Sequence, residues 1–418
     1  MNSNSNIFPI KFELYKPKRE HPNWNKLNKE ALKLSIKIAK NITLQKSVIQ
    51  RTIFQKRKIK AIIRTLKNLF INKGRMNNSN HNFIPLFYIW SMTNACNFNC
   101  KYCSNHRGEK YPDLYKQGLR EDLTTKEGKK LIKIMKKSSA IYFCGGEPTL
   151  RKDLPELLQY SSKLNMFNMI NTNGSLIGDL LLKPAYKNFL LKMDVIIISL
   201  DSLTVSQLSD IYNVNEKTAN KLLRNILTLR ILQNYVPFKL VANTVITLDT
   251  IEECFSILDW CNDLDITFSP VSANIKNQPD YDLIQNPKYI KLVEKILKRS
   301  EKGYPMIAST QMLRRLLKAE NIECFPTVFD HVDYNGEIFW PCKAFPNGKK
   351  INVLKYNNIG KVHNAASKLL SPNNFHGNAK NQCQGQCSWM QNVVTETYGK
   401  ALKNLTGSGI FSEILNLL

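Results

Sequence analysis

Pro85-Leu-Phe-Tyr-Ile-Trp-Ser-Met92, followed after three residues by Cys96-Asn-Phe-Asn-Cys100-Lys-Tyr-Cys103, is the stretch on which the fold reading turns. The first part is a short apolar run of strand length, the second a compact loop carrying three thiols. Downstream, similar runs recur at Ala140 to Cys144, Phe167 to Thr172, Asp194 to Leu200, Phe238 to Thr247 and Asp265 to Pro270. Helical patterns separate them at about Thr125 to Lys137, Leu154 to Leu164, Glu216 to Leu232 and Ile251 to Asn262. Six strands alternating with these helices predict right-handed βαβ units on a parallel sheet, an α/β fold. Reactive groups in such sheets collect at the C-terminal ends of the strands, so the residues after each strand are the candidates.

The chain has 418 residues, with 43% hydrophobic residues and 17 each of Gly and Pro, a globular composition long enough for two or three domains. The apolar runs are far shorter than the ~20 residues that span a bilayer. The start, Met1-Asn-Ser-Asn-Ser-Asn, lacks the pattern of a secretory signal, and the expected location is the cytoplasm, with a peripheral position on the inner face of the membrane as the alternative. Net charge is +27, and up to Phe83 there are 19 basic residues against 3 acidic ones. Such a block attracts a polyanion, whether nucleic acid, membrane surface or acidic peptide. Within it, Ile59, Ile62, Ile63, Leu66, Leu69 and Phe70 recur at helical spacing among Lys56, Arg57, Lys60, Arg64 and Lys67, which predicts a basic amphipathic helix packed through its apolar face. Residues 1–83 are therefore read as a basic, partly helical extension, 84–300 as the βα series and 301–418 as a smaller cysteine-bearing domain.

Three thiolates within eight residues can face one iron-sulfur cubane and leave one iron without a protein ligand. The alternative is a zinc site closed by His81 or His106, which such close spacing fits poorly. After the second strand stands Gly145-Gly-Glu-Pro148, where two glycines allow close backbone approach and a carboxylate can receive an ammonium. After the third stands Asn171-Thr-Asn-Gly174, and the fourth ends in Ser199-Leu-Asp201. Turns and helix caps would use the same residues.

The Cys-x-x-x-Cys-x-aromatic-Cys loop, followed one βα unit later by Gly-Gly-Glu-Pro, resembles the radical S-adenosylmethionine (radical SAM) superfamily. The resemblance implies a partial (β/α)6 TIM-like barrel and a 4Fe-4S cluster on Cys96, Cys100 and Cys103 whose open iron is chelated by SAM. It further implies that the reduced cluster cleaves SAM to methionine and a 5'-deoxyadenosyl radical. By the same resemblance Tyr102 lies near the adenine, Gly145, Gly146, Glu147 and Pro148 hold the amino group, and Asn173, Ser199 and Asp201 contact the ribose and carboxylate. An electron donor such as flavodoxin or ferredoxin is implied as well.

Near the C-terminus, Tyr334-Asn-Gly-Glu-Ile-Phe-Trp340 reads as a hairpin turning at Asn335-Gly336. It would carry Cys324 and Cys342 to one end, where Cys383 and Cys387 could complete a four-thiolate site for zinc or iron and sulfur. The arrangement resembles the twitch domain, a shortened SPASM domain. The Gly336 to Cys342 interval is one residue longer than that pattern, and the last pair is three residues apart. One auxiliary 4Fe-4S cluster is implied. Cys144, Cys254 and Cys261 read as buried small hydrophobes. Relatives of this kind modify peptides and proteins, and similar barrels act on lipids and RNA. The basic segment favours a peptide or protein substrate, with membrane or RNA contact as the alternative. The rival reading is a non-catalytic, metal-stapled nucleic-acid-binding protein.

Overall fold

The computed structural model describes residues 24–42, 47–77, 83–103, 122–275, 278–325, 329–340, 349–368, 390–404, 408–411 and 413. Cys342, Cys383 and Cys387, and with them the four-thiolate arrangement, lie outside the described residues. His81 and His106 do too.

All six expected strands form: β1 (Phe87–Ser91), β2 (Ala140–Cys144), β3 (Phe167–Thr172), β4 (Val195–Ser199), β5 (Lys239–Ile246) and β6 (Thr267–Ser272). They pair in parallel in chain order, the arrangement that repeated right-handed crossovers in one direction produce. The sheet continues at the other edge of β1. There β7 (Phe329–Val332) pairs parallel to β1, β8 (Glu337–Trp340) antiparallel to β7, and β9 (Lys349–Asn352) antiparallel to β8. The order is β9-β8-β7-β1-β2-β3-β4-β5-β6, and β6 and β9 do not meet, so the barrel is open. The β7–β8 connection is longer than a two-residue turn. It runs over Asp333 to Gly336, closed by Gly336 N–H to Asp333 O (3.0 Å), and Gly336 takes φ +79°.

Helices α1 (Trp24–Asn41), α2 (Ser47–Asn77), α3 (Thr125–Ile134), α4 (Leu154–Lys163), α5 (Val205–Tyr212), α6 (Glu216–Gln233), α7 (Ile251–Leu264), α8 (Pro287–Glu301), α9 (Thr310–Leu317), α10 (Ile359–Ser367) and α11 (Met390–Lys403) surround the sheet. Their starts are chemically marked. Thr124 and Glu127 form a capping box on α3, and Asn215 caps α6. Among the described residues no helix is long and apolar enough to cross a membrane.

The basic segment folds as two helices, and the expected packing of α2 holds only in part: Leu69 is buried, Ile62 and Leu66 half-buried, and Lys56, Lys60 and Lys67 exposed. In α2 the buried face carries Arg57, Ala61, Thr65, Asn68, Leu69 and Asn72, whereas Ile59, Ile63 and Phe70 are 53%, 58% and 65% exposed. The reason is position: α2 lies across the N-terminal ends of the strands, where loop carbonyls and a carboxylate need donors. Arg57 makes two bonds to Asp194 (3.0 and 2.9 Å), the residue before β4. Arg64 donates to the carbonyls of Lys136, Ser138 and Leu164, Asn68 to that of Lys137, and Asn72 pairs with both backbone groups of Ile84. Helix α2 thus closes the floor of the barrel, at the end opposite the cysteine loop.

Candidate active site

The cysteine loop leaves β1 and is joined to the loop after β2 by backbone bonds. Gly146 N–H donates to Thr93 O and Glu147 N–H to Ala95 O, both at 2.7 Å. Only glycine permits this approach. A Cβ on Gly145 would stand 2.3 Å from Thr93 O, and one on Gly146 2.2 Å from Ala95 O; Gly145 also takes φ +140°. The Gly-Gly pair therefore serves, in the first place, to fasten the loop that bears the thiols.

Glu147 is fully buried and joins three strand ends. Its Oε1 accepts from Thr149 N–H (2.9 Å), Thr149 Oγ1 (2.5 Å) and Thr172 Oγ1 (2.7 Å), and its Oε2 from Asn173 N–H (2.7 Å). Burial pushes its carboxyl up, against the opposing effect of those four bonds. Oε2 keeps acceptor capacity beyond its one bond. Pro148, also buried, starts the short 3-10 turn that Glu147 caps, the turn use that the sequence also allowed.

Asn173 connects the third strand's loop to the thiol loop: its Nδ2 donates to Asn97 Oδ1 (2.8 Å), while its Oδ1 accepts from Ser175. Tyr102 donates its hydroxyl to Asp201 Oδ2, and Asp201 Oδ1 accepts from Val245 N–H (2.7 Å). Burial raises the Asp201 carboxyl to about 6, although the Tyr102 bond lowers it. Ser199, half-buried, ends β4 opposite Asn243 of β5, whose Oδ1 accepts from Ser269 Oγ (2.9 Å). Thr244 is spent on Leu200 O (2.7 Å). All the site residues named from the sequence up to Asp201 thus stand on one edge of the sheet.

Cys96, Cys100 and Cys103 are half-buried on that edge. Burial pushes the Cys96 thiol up to about 12, with Glu147 and Cys103 adding to the effect. Cys100 is raised too, by burial and then by Cys103, Cys96 and Asp201. The three sulfurs are thus near enough to feel one another's charge, and their ionisation calls for a cation. Among the described residues no three His, Cys, Asp or Glu side chains are gathered so as to hold a single metal ion. A cubane presents three separate irons to three separate sulfurs, so the donor set fits it. Cys324 lies against α11, where Thr395 Oγ1 donates to its sulfur (3.4 Å).

Several supports escaped the sequence reading. Arg151 bonds to Met92 O, Leu123 O and Asp153 and lies over the Trp90 ring, bracing the end of β1. Asn225 of α6, fully buried, donates to Gly174 O (2.8 Å) and Ser175 O (3.1 Å). Its signal was a lone amide within Leu222-Leu-Arg-Asn-Ile-Leu227.

Residues 90–261 match the family model for the radical SAM superfamily. Among curated proteins, Fe-coproporphyrin III synthase of Methanosarcina barkeri is 42% identical over 91 residues, 21% of each chain. PqqA peptide cyclase of Bradyrhizobium diazoefficiens is 34% identical over 96 residues, 22% of this chain and 23% of that one. The matched stretches thus span less than a quarter of these relatives' length. Among solved structures, Streptococcus suis SuiB bound to S-adenosylmethionine aligns with a TM-score of 0.51 at 18% identity, over 70% of this chain and 69% of that one. SuiB bound to the precursor peptide SuiA gives 0.50 at 19%, over 66% and 64%. At such identities these structures speak for the fold alone.

Proposed function

Since residues 90–261 are a radical SAM domain, we propose that the chain is a radical SAM enzyme acting on a peptide or protein. A 4Fe-4S cluster on Cys96, Cys100 and Cys103 with S-adenosylmethionine at its remaining iron supplies the adenosyl radical that takes a hydrogen atom from an unactivated C–H bond. The chain's own part is placement. Gly145 and Gly146 hold the thiol loop against the second strand end, and Glu147 fixes three loops while keeping an acceptor on Oε2 for the ammonium of S-adenosylmethionine. Asn173, Ser199 and Asp201 offer polar groups for its ribose and carboxylate, and Tyr102, fixed by Asp201, borders the adenine.

The observation that carries this reading is the double backbone bond between thiol loop and Gly-Gly-Glu loop, which brings Cys96 within reach of the Glu147 charge. The peptide assignment is supported by the cyclase relative, whose name declares a peptide substrate. The basic extension supports it less than its charge suggested, because α2 lies at the opposite end of the barrel and spends Arg57 and Arg64 on the fold. An auxiliary 4Fe-4S cluster on Cys324, Cys342, Cys383 and Cys387 and an electron donor of the flavodoxin or ferredoxin kind belong to the same proposal. The resemblance of the first relative favours a porphyrin-type small molecule as the second reading.

Anaerobically reconstituted protein given dithionite and S-adenosylmethionine is expected to release 5'-deoxyadenosine, and a Cys96→Ala/Cys100→Ala/Cys103→Ala variant none. The Cys383→Ala/Cys387→Ala variant should lose about one cluster of iron yet still cleave S-adenosylmethionine. A zinc-loaded, inert protein would favour the nucleic-acid-binding rival, and loss of all iron in the second variant would refute two separate sites.

A further inference from the structure

On the outer wall of the barrel, between α3 and the turn that follows β9, lies a cavity of about 510 Å³ that the proposed chemistry does not use. Its rim carries Lys130, Lys133, Lys136, Lys355 and Lys361 together with Tyr356, over a floor of Ile134 and Leu354. No carboxylate lines it. All five lysines are exposed, and none has a carboxylate within ion-pair distance among the described residues. By contrast, nearby Lys129 and Lys350 are paired, with Glu156 and Glu337 respectively.

Five like charges around one concavity repel one another, an arrangement that costs stability unless an anion occupies it. The volume falls within the range of small-ligand sites. A sphere of that volume is about 10 Å across, whereas five carboxylates on an extended peptide, one for each lysine, would span about 13 Å of chain. A run of phosphates concentrates comparable charge within a few ångströms. Lysine suits it, because ammonium groups bind phosphate as point charges with no planar pairing required. We propose that this cavity binds a polyphosphate group, carried by a nucleotide, by a phosphorylated lipid headgroup or by nothing else, with Tyr356 beside whatever the phosphates bear.

Calorimetry on the full chain with three probes tests this: inorganic triphosphate, ATP, and vesicles containing a phosphatidylinositol bisphosphate. At least one should bind saturably, more weakly as salt is raised. Lys133→Gln/Lys355→Gln should weaken it at least tenfold, while Lys298→Gln, an exposed lysine elsewhere, should not. Equal binding of triphosphate and ATP identifies the phosphate chain alone as the ligand. Tighter ATP binding that Tyr356→Ala abolishes identifies a nucleotide, and binding of the vesicles alone a headgroup. Failure of all three probes, unchanged affinity in the double variant, or tighter binding of a poly-glutamate peptide than of triphosphate through the same lysines would overturn the proposal. None of these readouts depends on cleavage of S-adenosylmethionine.

Discussion

Tyr102, inside the thiol loop, donates its hydroxyl to the carboxylate of Asp201, 99 residues further along the chain at the end of β4. This bond spans the mouth of the barrel and ties the last turn of the loop, between Cys100 and Cys103, to the sheet. Asp201 is fully buried, so an unused oxygen there would be costly. Tyr102→Phe should therefore destabilise the protein by about 1–3 kcal/mol. Asp201→Asn, whose amide can still meet both Tyr102 and Val245 N–H, should cost less. Chemical denaturation of the two variants checks the order, and the Tyr102 variant should also bind S-adenosylmethionine more weakly once reconstituted.

The glycine contact offers a sharper test. In Gly146→Ala the new methyl meets a backbone carbonyl, which cannot rotate away as a side chain would. The loops must part, at a cost of about 1–3 kcal/mol or more. Iron retention after reconstitution should fall with it. Gly303→Ala is the control for an added methyl that meets nothing, since no atom lies within 4 Å of it even though the residue is left-handed (φ +79°); it should lose stability yet keep its iron.

At the floor of the barrel, Arg57→Met leaves Asp194 buried without its guanidinium, a loss of about 3–5 kcal/mol by comparison with other broken buried pairs. Arg57→Met/Asp194→Leu should recover part of it. Thermal unfolding of the two single variants and the double measures the coupling. Catalysis per folded molecule should stay near the parent value, because α2 does not reach the thiol edge.

Lys239, at the start of β5, has its pKa lowered to about 8 by burial, with Lys58 adding to the effect. A lysine depressed in the folded state favours the fold when neutral. Its contribution is therefore complete above pH 10.5, the ordinary value, and is lost as pH falls through about 8. Raising pH from 7 to 10 should stabilise the parent relative to Lys239→Met, by up to about 2–3 kcal/mol before solvent screening. Denaturation midpoints of the two proteins across that range give the difference directly.

The strand order and the thiol edge were legible because each rests on a local pattern: apolar runs of strand length, then polar or thiol residues at each strand end. The packing of α2 was legible only in part, at Leu69 and the half-buried Leu66. Apolar spacing marks Ile59, Ile63 and Phe70 as a core face, yet the helix meets strand ends rather than a sheet face. Unpaired carbonyls and Asp194 select Arg57, Arg64, Asn68 and Asn72 for the buried side. The glycines illustrate a partial reading. Close backbone approach could be anticipated at Gly145 and Gly146, but that the partner is the thiol loop itself follows only from the pairing of β1 with β2. Asn225 and Arg151 act on carbonyls far away in sequence, and no local pattern names such partners.

On the proposed reading, Cys96, Cys100 and Cys103 hold a cluster with one iron open to S-adenosylmethionine. Electron paramagnetic resonance of the dithionite-reduced, anaerobically reconstituted protein, recorded before and after addition of S-adenosylmethionine, addresses it most directly. The parent should give a reduced-cluster signal whose shape changes on addition, and Cys100→Ala should lose that responsive signal. A signal indifferent to S-adenosylmethionine, or an undiminished response in Cys100→Ala, would contradict it.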